Sequence, residues 1–156
     1  MSSWVIVTGY DNFGRTAERG FTVQGVKSRQ RRKAEAFRPG DTALYYVTGV
    51  KAFAGAVTIQ SETWEDHELI WSSKPGEDYP WRFEIAPRIV LTDEADWIPA
   101  ISLIDQVEYC QKWPREHWTL AFQGNVHSWS DKDADVVLDA LARTAESATG
   151  TVLRPA

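Results

Sequence analysis

The spacing of hydrophobic and polar positions changes along this chain, and each change predicts an element. Trp4-Val5-Ile6-Val7-Thr8 is a continuous β-branched and aromatic run bounded by Gly9, the pattern of a buried strand. Residues 11 to 20 suit a short helix that ends at Gly20, with Asp11 as its cap. A short alanine-containing piece, 33 to 37, predicts one or two helical turns, and Arg38-Pro39-Gly40-Asp41 is a turn that launches the next strand. Residues 42 to 48 and 52 to 62 alternate as two strands of a hairpin turning near Gly49. From Trp64 to Tyr79 the chain is polar, interrupted by Leu69-Ile70-Trp71 and carrying Lys74-Pro75-Gly76, which predicts a long loop. A long strand is expected over 81 to 92, a helix over 98 to 107 with Asp96 near its start, and a short strand over 117 to 123. Asp131 to Thr144 is the clearest helix. Val136, Val137, Ala140 and Leu141 form its apolar stripe behind an acidic first turn that suits the helix dipole.

Strands separated by unequal insertions, with a few short helices, indicate an α+β fold or a small barrel and argue against alternating βαβ units. The 156 residues fit one domain, expected over 1 to 146 with a flexible tail from 147, and can bury a core without disulfide or metal support. No stretch has the length and apolarity of a membrane span, and a single cysteine, Cys110, permits no intrachain disulfide. A cytoplasmic protein with no membrane partner is the expectation.

Charge sharpens this picture. The formal net charge is −5, yet Lys27, Arg29, Arg31, Arg32 and Lys33 place five cations and no acid in seven residues. The rest of the chain carries 12 bases against 22 acids. The positive charge is therefore local, and fits either a solvated loop or a patch that contacts phosphate. Eight tryptophans are a second departure from ordinary usage. A buried indole needs a partner for its N–H, so this number suits either a ligand site or a β-rich core filled with large rings.

Several motifs come close to known chemistry and miss it. Gly9 to Thr16 nearly spells a phosphate loop, but Arg15 replaces the lysine, and Tyr10, Asp11 and Phe13 would crowd and repel a wrapped triphosphate. Asp131-Lys132-Asp133-Ala134-Asp135 starts like a calcium loop, but Val136 stands where glycine is needed and Ala142 where glutamate is. His67, His117 and His127 lack the spacing of a zinc helix, and Cys110 has no adjacent histidine to activate it. No cofactor and no catalytic residue is expected.

The run from Gly20 to Lys27, then Phe37-Arg38-Pro39-Gly40-Asp41 and Leu44-Tyr45-Tyr46, resembles the EVE domain of the PUA-like superfamily. Phe53-Ala54-Gly55, Tyr79-Pro80-Trp81-Arg82 and Trp118 with Phe122 and Gly124 extend the resemblance, which covers about residues 3 to 143. Two departures stand out. Gln123 takes a place where relatives often carry arginine, which weakens the case for a phosphate contact there, and Thr48 one where many carry serine or proline. The resemblance implies a PUA-like twisted β-barrel of about five or six strands with peripheral short helices, related to YTH readers. It also implies a non-catalytic domain that binds DNA or RNA and takes a modified base, such as a modified cytosine, into an aromatic cage. A separately encoded nuclease is a partner of the kind the resemblance suggests. A regulatory domain binding a free small molecule such as a nucleoside is the alternative, and a nucleotide hydrolase using the Gly9 to Thr16 loop is the third and least favoured reading. Trp71, Phe53 and Tyr46 are the expected cage. Tyr10, Asn12, Thr22 and Gln24 are expected to read the base edge, and Lys27, Arg29, Arg31, Arg32 and Arg82 to contact phosphates. Arg82 equally fits a structural ion pair. Trp4, Trp97, Trp118 and Trp129 are assigned to packing.

Overall fold

The computed structural model describes residues 1–156. Its frame is one curled sheet that forms half a barrel, in the order β2-β6-β4-β3-β1-β8. The six strands are β1 (Ser3–Thr8), β2 (Val23–Val26), β3 (Thr42–Val47), β4 (Ala52–Ile59), β6 (Trp81–Leu91) and β8 (Val126–Trp129). Three two-residue strands flank them: β5 (Trp64–Glu65) and β9 (Val152–Leu153) pair with β6, and β7 (Ile98–Pro99) pairs with β4. The helices are α1 (Tyr10–Glu18), α2 (Arg31–Glu35) and α3 (Asp131–Glu146). No helix is long and apolar enough to cross a membrane. The architecture is the α+β class read from the pattern of elements, and its curled half-barrel sheet fits the PUA-like twisted barrel that the family resemblance implies.

Both faces of the central strands are covered, which is why β1 reads as an unbroken apolar run. Val5 and Val7 enter one core together with Leu44, Tyr46, Phe53 and the α3 residues Val137 and Leu141. Trp4 and Ile6 enter the other, with Phe13, Phe37, Ala43, Tyr45 and Phe83. β1 and β3 are parallel, Ser3 to Thr8 against Thr42 to Val47, and the remaining ladders are antiparallel. Gly55 lies next to a bulge opposite Tyr45 and Tyr46, and a Cβ there would stand 2.8 Å from the Val90 backbone, so only glycine lets β4 and β6 approach this closely.

Four expectations are corrected. The segment 117 to 123 is not a strand. Residues 115–122 form 3₁₀ turns kinked at His117, and the strand is β8. Trp118 and Phe122 are four apart and their rings meet edge to face, a helical spacing that carries Phe122 into the core. Residues 98 to 107 are β7 followed by two 3₁₀ turns. Ala100, Leu103, Ile104 and Val107 are all buried, so the helical period is present while the helix itself is not continuous. α1 starts directly after Gly9, and Asp11 sits inside its first turn without capping it. The chain after Ser147 is fastened: the Asp96 carboxylate accepts from the backbone N–H of Thr149 and Gly150 at 2.9 Å each, and β9 pairs with Val90 and Leu91.

Candidate nucleic-acid interface

The C-terminal end of β1 opens into a cavity of about 770 Å³. One wall is Val7 to Asn12, where β1 passes through Gly9 into α1. Beside it stand Thr48 at the end of β3 and the turn 122–125. Backbone bonds lock this wall: Thr48 N–H donates to the Thr8 carbonyl at 2.9 Å and Val7 N–H to that of Asn125 at 2.8 Å. Asn125 is the keystone. Its side-chain amide donates to the Val7 carbonyl, and its oxygen accepts from the Lys27 N–H, both at 2.9 Å, so β1, the exit of β2 and the 122–125 turn keep one spacing. Phe122 lines the cavity and stacks on Tyr46 behind it, with centroids 4.0 Å apart and planes 5° from parallel.

The opposite wall comes from the long loop and presents Ser72, Ser73 and Tyr79. Polar bonds hold it. The Asn12 side chain imitates a backbone partner, donating to the Ser72 carbonyl and accepting from the Ser72 N–H, each at 3.1 Å. Trp71 Nε1–H donates to Thr16 Oγ1 at 2.9 Å, Thr16 donates to Gln24 Oε1 at 3.0 Å, and the Tyr45 hydroxyl donates to the same oxygen at 2.6 Å. Burial raises the Tyr45 hydroxyl's pKa far above its usual range, which keeps it a donor in this chain. The guanidinium of Arg82 lies under the loop, 5.3 Å from the Trp71 ring, and donates to the carbonyls of Glu68, Asp78 and Tyr79. Gly25 makes room for the assembly, because a Cβ there would stand 2.6 Å from the Tyr79 carbonyl and 2.7 Å from the Trp71 ring.

Of the residues singled out from sequence, the cavity brings together Tyr10, Asn12 and Lys27. Tyr10 is exposed at the rim, and interaction with the Glu94 carboxylate raises its hydroxyl's pKa. Trp71, Phe53 and Tyr46 do not line the cavity; they are 0%, 1% and 2% exposed. Trp71 packs with Ile70 and Tyr79 beneath the loop, while Tyr46 and Phe53 belong to the large core, so the three rings never face one space. Gln24 is spent in the buried network. Thr22 lies at the far end of β2 and donates to the Arg19 carbonyl at 2.8 Å. Arg82 is 1% exposed, with its donors turned inward to the loop backbone and to Asp66 at 3.7 Å. Arg29, Arg31 and Arg32 are exposed beyond Lys27. Arg31 pairs with Glu35 at 2.9 Å and lies over the Trp81 ring, and neither Arg29 nor Arg32 has an ion-pair partner.

Sequence reasoning passed over Asp11, Thr48, Tyr79, Phe122 and Asn125 as lining residues. Two signals were available: Asn125 follows Gly124, the composition of a turn, and Tyr79 opens the Tyr79-Pro80-Trp81-Arg82 run. The near-miss motifs have structural duties. Arg15 donates to the Ile70 carbonyl at 3.0 Å and Thr16 is buried, and with α1 starting at Tyr10 no open loop remains to wrap a triphosphate. Asp133 accepts from the N–H groups of Glu108 and Tyr109, at 2.8 and 3.0 Å. Burial, with Asp133 nearby, pushes the Cys110 thiol up to about 12, so the thiolate is suppressed.

Compared by sequence, the chain matches no family model and no curated protein. Compared by structure, it is similar to the YTH domain-containing protein mmi1, solved as an RNA complex, at TM-score 0.66 and 8% identity, over 93% of this chain and 85% of that one. Human THYN1, solved with DNA containing 5-methylcytosine, aligns at TM-score 0.56 and 18% identity, over 89% of this chain and 96% of that one. The YTH domain of Zygosaccharomyces rouxii MRB1, solved with N6-methyladenosine RNA, aligns at TM-score 0.59 and 14% identity, over 89% and 86%. Built on a curled sheet with this strand order, the chain has the PUA-like fold shared by DUF55/EVE-type proteins and YTH domains.

Proposed function

We propose that this chain binds a nucleic-acid strand and takes one of its bases, carrying a modification such as that of a modified cytosine, into the cavity between α1 and the long loop. The observation that carries the reading is the junction at Lys27. That residue lines the cavity and opens a surface stretch on which Arg29 and Arg32 have no acidic partner, so a base site and a phosphate track adjoin. The solved complexes of similar fold with methylated DNA and RNA add support.

In this reading Tyr79 and Phe122 supply aromatic surface, and Asp11 supplies acceptors suited to the exocyclic amine of cytosine or adenine. Extruding a base costs a few kcal/mol, and stacking on an aromatic ring returns about 1 to 3 kcal/mol. The balance then rests on edge hydrogen bonds and on the added group, which is where a preference for a modified base arises. Trp71 and Arg82 act behind the wall by holding Tyr79 in place. The chain binds in this scheme and transforms nothing.

The test is a panel of single- and double-stranded oligonucleotides with unmodified and modified cytosine or adenine, followed by tryptophan quenching across a salt series. One modified base should bind at least about tenfold tighter than its parent, and neutralising Lys27, Arg29 and Arg32 should flatten the salt slope. Equal, weak binding of every member would reject the reading.

A further inference from the structure

We propose that the carboxylate of Glu77 occupies a phosphate subsite beside the cavity, so that the chain carries its own competitor for the nucleic-acid backbone. The inference rests on the nucleic-acid reading above and adds a regulating group to it. Glu77 Oε1 accepts from the Ser28 backbone N–H at 3.2 Å and Oε2 from the Ser28 hydroxyl at 3.4 Å. Two adjacent donors gripping two oxygens of one anion also suit a phosphodiester. Ser28 is held in position from below, because Trp81 Nε1–H donates to its carbonyl at 2.7 Å. Its neighbours in the chain are Lys27, at the cavity, and Arg29, on the exposed basic stretch. A strand that placed a base in the cavity and followed these cations would pass Ser28.

Glu77 is suited to leave. Both of its bonds are long for their kind, and it forms no ion pair with Lys27 or Arg29. It ends a short strap whose other end is Ser72, fixed to Asn12. Between these two fastenings Ser73, Lys74, Pro75 and Gly76 are exposed, and Gly76 makes the turn at φ +84°. Ser72 and Ser73 line the cavity, and release of Glu77 leaves this strap held only at its two ends, by Asn12 at Ser72 and by Arg82 and His67 at Asp78. While Glu77 stays, its charge repels an approaching phosphate, and a strand must replace it to reach Ser28.

The experiment compares wild type, Glu77→Ala, Glu77→Gln, Glu77→Ala with Ser28→Ala, and Glu116→Ala as a control for net charge, each binding a short unmodified single-stranded DNA. Fluorescence anisotropy at low salt reads the affinity. Both single Glu77 variants should bind about tenfold tighter than wild type, since both remove the competing charge. Glu116→Ala should stay near wild type, and adding Ser28→Ala should cancel the gain. Equal tightening by Glu116→Ala, or weaker binding by Glu77→Ala, would overturn the subsite while leaving the nucleic-acid reading intact. No binding by any form, wild type included, would overturn both.

Discussion

The two walls of the cavity are built by different physics. The wall formed by β1, α1 and the 122–125 turn grows out of the sheet: backbone ladders fix its register, and the stacked Phe122 and Tyr46 rings fill the space behind it. The long-loop wall adds only the two residues of β5 to the sheet. It hangs on a buried indole, a buried guanidinium and a few side-chain bonds from Asn12, Thr16 and Glu77. A wall made of core can lose its shape only when the domain unfolds, whereas one hung on polar bonds can open on its own. A rigid face therefore meets a detachable one, an arrangement suited to admitting a flat group and closing over it.

The largest expected effect lies on the rigid side. Phe122→Ala removes a ring that stacks on Tyr46 and meets Phe53, Trp118 and Trp129. It should cost about 3–5 kcal/mol of global stability, read as a lowered midpoint of urea unfolding. The loop's own opening should be unchanged relative to the sheet. A loss below about 1 kcal/mol would mean that this wall is not core-built.

The next effect falls on the hung wall. Gly25→Ala drives a methyl group into the Tyr79 carbonyl and the Trp71 ring, and neither can move without lifting the loop. The expected cost is about 1–3 kcal/mol, concentrated locally. In hydrogen exchange, amides of residues 66 to 80 should lose protection well before those of β1 and β3. Uniform loss across both walls would show that the loop is as much part of the core as the sheet is.

This contrast also explains what the chain's spelling reveals. The β1 part of the rigid wall was legible because strands buried on both faces are continuous apolar runs; the 122–125 turn was missed, although Gly124-Asn125 has the composition of one. Trp71 was located in the right loop but on the wrong side of it. An aromatic residue in a polar stretch looks ligand-facing, and nothing local discloses that Gly25, Thr16 and Arg82, all distant in sequence, close around it. Gln24 misled for the same reason: its side chain can read a base edge, but Thr16 and Tyr45 already claim its oxygen. Hidden polar networks are set by tertiary geometry, and one-dimensional periodicity carries no trace of them.

The smallest expected effect is a pH response of opposite sign at two histidines. His67 sits on the loop between Glu65, at 2.7 Å, and Asp78, at 2.6 Å, and hydrogen bonds to those carboxylates, Glu65 first, raise its pKa above the ordinary 6.5. A raised pKa means that this fastening is complete below pH 6.5 and is lost as pH rises through the folded value. His127 lies behind the sheet-built wall, beside Tyr109. Burial first, and then the charge of Lys33, lower its pKa, so its contribution is present above pH 6.5 and is lost as pH falls through the folded value. Alkaline pH should therefore loosen the loop while leaving the sheet intact, and mild acid should act on the sheet side. Limited proteolysis across this range provides the readout, because the exposed segment Ser72 to Gly76 is the natural cleavage site of an opened loop. Nicking there should accelerate as pH rises in wild type after correction for protease activity, and the acceleration should disappear in His67→Gln. If His67→Gln keeps it, the imidazolium does not fasten the detachable wall, and the bonds from Asn12, Thr16, Arg82 and Glu77 hold it without His67.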